Sequence, residues 1–328
     1  MKALISTMMA LALVFSMAAC TNRNSEVSSS SSSVPSSSLP SSEPSSSVPP
    51  SSSDRMDDLG DDVSDVVSDV ASDVGDTVSR VESAITPTIS TDFEKIGALQ
   101  GASEPVKWGP GIQVDEHNRT TAPVQLQELY GSYNAYFIAP EGCGKLYLTF
   151  DEGYENGYTP AILDVLKEKN VSAVFFITMP FAKSQPELVQ RMIDEGHVVG
   201  NHTNRHLVPT EVSLEQAYQD IKELHDYVKE NFNYEMYLYR PPTGAFSELS
   251  LAMVQKTGYR TVLWSFAYAD WDPDKQPSYE EGLARTTKFI HEGAIYLLHA
   301  VSKTNAEILP ALIDEIRQQG LEIAKWDL

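Results

Sequence analysis

From Lys145 onward, short apolar runs alternate with amphipathic stretches to the end of the chain. The first run, KLYLTFDEG at 145–153, alternates in polarity and predicts a buried strand that ends at Asp151 and Glu152. Further strands are predicted at 172–178, 197–200, 236–239, 261–266, 294–298 and 321–326. Helical periodicity is found at 161–169, 185–195, 214–230, 247–257, 280–291 and 309–319. The repeating β/α order predicts a parallel sheet or barrel.

The first segment of the chain is typical of export. Residues 1–19 combine a positive start, a short apolar run and small residues that lead into Cys20. This pattern predicts a lipoprotein signal peptide, cleaved before a lipidated cysteine that anchors the protein on the outer face of a bacterial cell membrane. Met17 stands where Leu is usual, and an ordinary signal peptide with an incidental cysteine is the alternative.

Two further segments precede the β/α pattern. Residues 20–53 are mostly Ser and Pro, which predicts a flexible tether. Residues 54–87 are acidic and carry apolar residues, mainly Val, at steps of three and four, which predicts an amphipathic helix. Because β-branched residues and Gly75 lower helix propensity, a disordered spacer is an alternative. A coiled coil that dimerises the protein through residues 56–85 is another.

Residues 88–143 contain more turn residues than periodic apolar ones. This composition predicts an irregular extension packed on the β/α domain at 144–328. The aromatic side chains of the extension are expected in its core rather than on a substrate platform, and they include Tyr130, Tyr133, Tyr136 and Phe137.

The net charge of −22 argues against nucleic acid as a partner, because phosphate binding needs clustered Lys and Arg. Much of this charge is local. Between Asp54 and Glu82, nine Asp and one Glu are opposed by only two Arg. The folded part of the chain is therefore only moderately acidic.

Polar residues follow the predicted strands, at the rim where barrel enzymes place their chemistry. They are Asp151, Glu152, His202, His206, Arg240, Asp270 and His299. His202 and His206, at i and i+4, together with a carboxylate from a neighbouring strand, suit a divalent metal such as Zn. Such a set suits hydrolysis, in which Asp151 takes a proton from water and a histidine returns one to the leaving group.

Simpler explanations exist for two of these pairs. The His-x-x-x-His spacing alone is found in surface pairs, and only the carboxylates at another strand end favour the metal site. Arg240 near Asp151 would keep that carboxylate charged, and Asp270 could do the same for His299. A plain ion pair between Arg240 and Asp270 at a loop end is the alternative.

Five motifs in order, TFDEG, NHTNRH, RPPTG, ADW and YLLHA, resemble the NodB-type polysaccharide deacetylases. The resemblance runs from about Lys145 to Leu328. Longer stretches, FDEGYENGYTP, GHVVGNH, YLYRPPTGAFSE and GAIYLLHAVSKTNAEIL, look like the PdaA-like branch, the muramic δ-lactam enzymes. The resemblance implies a distorted (β/α) barrel that removes N-acetyl groups from a glycan with the help of a metal. Within that branch the implied substrate is N-acetylmuramic acid of peptidoglycan.

The resemblance also implies a role for each motif residue. Asp151 would be the catalytic base, His299 the general acid, and His202 and His206 the metal ligands, with Glu152 at the position of the third. The remaining implied roles are Arg240 holding Asp151, Asp270 tuning the Arg240 and His299 network, the Thr243 N–H binding the oxyanion, and Pro242, Trp271 and Leu298 lining the acetyl pocket. Zn is the first expectation for the metal, with Co or Mn as alternatives.

One departure from the family pattern concerns Glu152, because most members have a second Asp there. Glu152 would ligate with altered geometry, turn away, or leave a two-histidine site. Two alternatives to the muramic acid activity follow. One is a deacetylase of N-acetylglucosamine, chitin oligomers or acetylated xylan. The other is a catalytically silent cell-wall-binding lipoprotein, with Glu152 as the sign of decay.

Overall fold

The computed structural model describes Leu99 and residues 101–328. The predictions for the signal peptide, Cys20, the tether and the 54–87 segment, including its coiled coil, lie outside these residues. Within the described ranges, no helix is both long and apolar enough to cross a membrane.

Strands and helices alternate through the described part of the chain. The strands are β1 (Ala135–Tyr136), β2 (Lys145–Glu152), β3 (Val174–Ile177), β4 (Val198–Asn201), β5 (Leu238–Tyr239), β6 (Arg260–Val262), β7 (Ile295–His299) and β8 (Glu322–Ile323). The helices are α1 (Thr121–Tyr130), α2 (Thr159–Glu168), α3 (Met179–Ser184), α4 (Pro186–Asp194), α5 (Leu214–Phe232), α6 (Glu248–Thr257), α7 (Tyr279–Lys288) and α8 (Lys303–Gln318).

The strands form one parallel sheet that curls into a distorted barrel, which confirms the predicted fold class. Their order is β1-β6-β5-β4-β3-β2-β7, and β8 pairs with the start of β2. Beyond β6, Phe266 forms a parallel bridge to Tyr296 of β7, so the two flanks of the sheet meet. The carboxyl ends of all these strands therefore surround one rim.

Two layers of apolar side chains arise from the alternation along β2, which is buried at every residue after Lys145. Tyr147 packs inside the barrel, in a cluster that includes Val174, Phe176, Val198, Leu238, Val262 and Ile295. Leu146, Leu148 and Phe150 point the other way, into the larger cluster between the sheet and the helices. Each fully buried Leu or Phe contributes about 1.5–3 kcal/mol, so β2 is fixed in register from both sides.

The extension is more regular than the sequence predicts, because α1 and β1 both lie within it. β1 joins the main sheet beside β6, so the sheet begins before the predicted domain boundary. Only Pro123 and Leu126 of α1 are buried, which explains its weak periodicity. Trp108 and Phe137 pack edge to face, 5.5 Å apart, and contact Phe246 beyond β5. These aromatic side chains form a core, as expected.

Helix α8 begins at Lys303, six residues before its predicted start. Ser302 caps it, since its hydroxyl accepts the backbone N–H of Asn305 at 3.0 Å. Pro310 lies inside the helix, and because proline usually stands at a helix start, the sequence predicted the start next to it and omitted the first two turns. The earlier start matters because Asn305 belongs to the site described next.

Candidate active site

Asp151 and Arg240 form a buried ion pair inside the barrel. Asp151 precedes the last residue of β2, and Arg240 follows β5 directly. Nη1 of Arg240 lies 2.7 Å from Oδ1 of Asp151. Burial raises the pKa of Asp151, but the charges of Arg240, His202 and His299 outweigh burial and hold it below its usual range. Asp151 is therefore ionised at neutral pH.

The guanidinium of Arg240 is fully buried and bound on all sides. Nε donates to the carbonyl of Val262 at 3.1 Å, and Nη2 donates to the hydroxyl of Thr149 at 2.7 Å. The ring of Phe176 lies 4.2 Å from the guanidinium carbon. Gly200 makes this stacking possible, since a Cβ there would stand 2.5 Å from the Phe176 ring. Arg240 therefore holds Asp151 in one orientation.

His202 and His206 bring two imidazole nitrogens together beside Asp151. Nδ1 of His202 lies 2.8 Å from the carbonyl oxygen of Arg240, which can only accept, so Nδ1 carries the proton and Nε2 is free. The two Nε2 atoms are 3.2 Å apart, and Nε2 of His202 lies 3.5 Å from Oδ2 of Asp151. Burial lowers the pKa of His202 to about 4 and also lowers that of His206.

These two histidines fit a divalent metal. Two nitrogens bound to one Zn at about 2.0–2.1 Å in tetrahedral geometry stand about 3.3 Å apart, close to the separation found here. Both rings are neutral, which is the form that binds metals. The backbone carbonyl that accepts from His202 is the kind of partner that orients a ligating imidazole. A carboxylate oxygen, Oδ2 of Asp151, lies 3.5 Å from Nε2 of His202.

Glu152 does not join the two histidines. Its neighbours in β2 alternate between the two faces of the sheet, so Asp151 faces the interior and Glu152 faces the helices, beside Thr159 of α2. Its side chain is fully buried, and burial raises its pKa well above the usual range, with Glu155 and Asp151 adding to the shift. Among the described residues, no group of three His, Cys, Asp or Glu is arranged to hold a metal. Metal binding by Glu152 stays a prediction that this placement does not favour.

His299 and Asp270 form a second bonded pair at the same rim. His299 ends β7 directly beside Asp151, because the two residues are partners in the β2–β7 register. Nδ1 of His299 lies 2.7 Å from Oδ1 of Asp270, and Oδ2 of Asp270 accepts the backbone N–H of His299 at 2.9 Å. The contacts of Asp270 thus lead to His299, whereas the predicted link to Arg240 has no bond within residues 101–328.

Asn305 is a site residue that lies on a helix and was not among the residues predicted from the strand ends. Its amide nitrogen donates to Oδ2 of Asp270 at 2.6 Å and to the carbonyl of His299 at 3.0 Å. The hydroxyl of Tyr268 donates to its amide oxygen. Asn305 is buried in the first turn of α8, so only the SKTNAEIL resemblance pointed to it.

The two reacting groups have opposite protonation tendencies. Burial lowers the pKa of His299, but the charge and hydrogen bond of Asp270 more than offset it, so the pKa lies above its usual value. The pKa of Asp151 is shifted downwards, as described above. A carboxyl group whose pKa is lowered and an imidazole whose pKa is raised therefore stand on neighbouring strands. This combination suits a general base paired with a general acid.

The residues predicted to bind the acetyl group lie in three different environments. Trp271 is 58% exposed, and its ring lies 6.2 Å from that of His299, so it stands at the mouth of the site. Thr243 is exposed in a left-handed conformation with φ 59°, beside the buried Pro242. Leu298 is 1% exposed and packs with Phe150 on the helix-facing side. Its assignment to the acetyl pocket is therefore wrong, because strand alternation turns it away from His299.

Comparison with known proteins supports the architecture and the motifs. The sequence profile of the family described as polysaccharide deacetylase matches residues 139–262. The chain is 41% identical over 235 residues to the peptidoglycan-N-acetylmuramic acid deacetylase PdaA of Bacillus subtilis, a match that covers 70% of this chain and 89% of that protein. It is 33% identical over 178 residues to a peptidoglycan-N-acetylglucosamine deacetylase of Bacillus cereus, covering 53% of this chain and 82% of that one.

Solved structures give the same result. Bacillus subtilis PdaA, a family 4 carbohydrate esterase, superimposes with a TM-score of 0.64 at 39% identity and covers 68% of this chain and 95% of its own. A family 4 carbohydrate esterase from Bacillus anthracis gives a TM-score of 0.56 at 36% identity, covering 69% of this chain and 96% of its own.

Proposed function

The chain belongs to the polysaccharide deacetylase family, and we propose that it hydrolyses the acetamido group of N-acetylmuramic acid in peptidoglycan. The relative named for that activity shares 41% identity over most of both chains, which supports this substrate over other acetylated glycans. The observation that carries the chemistry is the pairing, across adjacent strands, of Asp151, whose pKa is lowered by Arg240, with His299, whose pKa is raised by Asp270. Amide hydrolysis needs one group of each kind.

The side chains divide the reaction between them. Asp151 takes the proton of the attacking water, and Arg240 keeps its carboxylate oriented and ionised. His299, held by Asp270, donates a proton to the nitrogen that leaves when the amide bond breaks. Trp271 flanks the acid with an exposed ring suited to packing on the sugar. The products are acetate and a free amino group on the sugar.

His202 and His206 would hold a divalent metal, and Zn is the ion that their nitrogens suit best, with Co or Mn as alternatives. When bound, such an ion supplies Lewis acidity that lowers the pKa of water and polarises a carbonyl.

A substrate assay tests the proposed function. Purified protein loaded with Zn is incubated with muropeptides, with reduced N-acetylglucosamine oligomers and with acetylated xylan, and products are identified by mass spectrometry. Loss of one acetyl group from muramic acid residues alone is the expected result. Asp151→Asn serves as the matched inactive control, because it keeps the shape of the side chain but removes the base. Acetyl loss only from N-acetylglucosamine would support the second candidate, whose relative is 33% identical, and no loss on any sugar would reject both.

We also propose that Cys20 carries a lipid that anchors the protein on the outer face of the cell membrane. The apolar run and small residues before Cys20 support this assignment. Membrane fractionation of cells expressing the wild type and Cys20→Ala tests it. The wild type is expected in the membrane pellet and the variant in the medium or soluble fraction, and equal distribution of the two would contradict the proposal.

A further inference from the structure

The loop that carries His206 has an unfavourable backbone. Thr203 has φ 72° and His206 has φ 57°, both in the left-handed region that side chains other than glycine avoid. For a β-branched residue such as Thr203 this conformation is a genuine outlier. Such residues persist only where the surroundings fix them. The bonds that fix this loop are therefore part of how His206 is presented.

Asp220 of α5 binds the loop on both sides of His206. Its Oδ1 accepts the backbone N–H of Arg205 at 2.9 Å, and its Oδ2 accepts that of Leu207 at 3.0 Å. Its own backbone carbonyl accepts the N–H of Asn204 at 2.9 Å. Asp220 is 1% exposed, so these bonds form away from competing water. One side chain therefore spans the residues before and after the histidine.

The loop has further bonds, one of which comes from another element: the backbone N–H of Met179 donates to the carbonyl of Thr203 at 3.1 Å. Oδ1 of Asn201 accepts the N–H of Thr203 at 2.9 Å, and the hydroxyl of Thr203 accepts the N–H of His206 at 2.9 Å. The side chain of Asn204 donates to Glu223, which lies on the same helix as Asp220 but is exposed. Of the two helix carboxylates that hold this loop, only Asp220 is buried and bonded to backbone.

We propose that Asp220 is a positioning residue for the metal site, because it fixes the backbone on either side of His206 so that Nε2 stands opposite that of His202. The inference rests on the metal role given to the two histidines above. Asp220 touches neither the metal nor the substrate in this arrangement. Its carboxylate acts through the loop, as outer partners of metal ligands generally do.

Asp220→Asn tests the proposal, with Glu223→Gln as the matched control on the same helix. The amide introduced by Asp220→Asn can accept only one of the two backbone N–H groups, and its NH₂ group would oppose the other. Zn affinity is measured by calorimetric titration of the full-length proteins with ZnCl₂. The dissociation constant is expected to rise about 10–100-fold in Asp220→Asn, as for other outer partners of ligands, and to stay within about twofold in Glu223→Gln. Circular dichroism establishes that both variants are folded.

Three results would overturn the inference. An unchanged dissociation constant in a folded Asp220→Asn protein removes the positioning role while leaving the proposed function standing. Wild type that binds no Zn removes the metal role and the inference together. If Asp220→Asn does not fold, amide hydrogen exchange of the wild-type protein tests whether Asp220 holds the loop. The N–H groups of Arg205 and Leu207 are expected to exchange at least about tenfold more slowly than unprotected amides, and unprotected exchange at both contradicts the proposal.

Discussion

Replacing Glu152 by Gln separates two roles for this residue, metal ligand and buried structural acid. The side chain lies on the face of β2 opposite to Asp151, with Oε2 3.4 Å from the hydroxyl of Thr159. Its Oε1 is buried without a hydrogen-bond partner in the described part of the protein. Gln keeps the length of Glu and cannot ionise, so it removes the charge while leaving the packing intact.

The structure predicts unchanged metal binding and a change in stability. Zn affinity of Glu152→Gln should stay within about twofold of wild type, whereas loss of a true ligand, as in His206→Gln, should cost well over tenfold. Because burial raises the pKa of Glu152, the folded protein binds more protons than the unfolded chain above the unfolded pKa. Wild-type stability therefore falls with rising pH in that window, by ~1.4 kcal/mol for each unit of pKa difference. The variant lacks this loss.

Urea unfolding of both proteins at pH 5 and pH 8 measures the difference. Glu152→Gln should match wild type at the lower pH, within about 1 kcal/mol, and exceed it at the higher pH by an order of 1–3 kcal/mol. His206→Gln serves as the control for metal loss. A drop in Zn affinity of tenfold or more in Glu152→Gln would refute the placement on the helix side, and lower stability at pH 8 would refute the account of its pKa.

Three other changes test the remaining parts of the site. Arg240→Met should abolish detectable turnover and lower the free energy of unfolding in urea by about 3–5 kcal/mol, since it leaves Asp151 buried without its partner. A decrease of less than about 1 kcal/mol would contradict this account. Turnover should require ionised Asp151 and protonated His299, so the rate should fall at high pH as His299 loses its proton. Asp270→Asn removes the charge that raises the pKa of His299, so the alkaline limb of the pH–rate profile should move to lower pH. An alkaline limb at the same pH as in wild type would contradict this role of Asp270. Trp271→Ala should raise KM about tenfold with little change in kcat, and a fall in kcat alone would argue against sugar packing.

The sequence predicted the barrel and most of its rim because both follow from local patterns. Each strand end could be located from its apolar run, and the residues after it, from Asp151 to His299, had to share one edge of a parallel sheet. One assignment was wrong for a physical reason. Leu298 was assigned from motif resemblance, although it is adjacent in β7 to His299, and neighbouring residues of a strand point to opposite faces of the sheet. Glu152 stands next to Asp151 in the same way, so its role as a metal ligand stays a prediction that its placement does not favour.

The residues that the sequence did not reveal lie on helices. Asp220 and Asn305 reach the rim from α5 and α8, and they act on backbone groups or on other polar side chains rather than on a substrate. Neither follows a strand, so no strand-end rule selects them. Helix α1 was not predicted for a different reason. It buries only two side chains, so its sequence has almost no helical periodicity of apolar residues.

The seam of the barrel has a consequence for when the enzyme becomes competent during folding. Beyond β6, the chain joins β7 through hydrogen bonds from Ser265 to Ile295 and from Leu297 to Phe266, each 2.9 Å long. Four residues further along, Asp270 binds His299 across the same gap. Barrel closure and assembly of the general acid are thus one event. A partly folded protein with an open seam has a complete Asp151–Arg240 pair but an unsupported His299, so during refolding activity should return no earlier than the near-ultraviolet circular dichroism of the closed barrel.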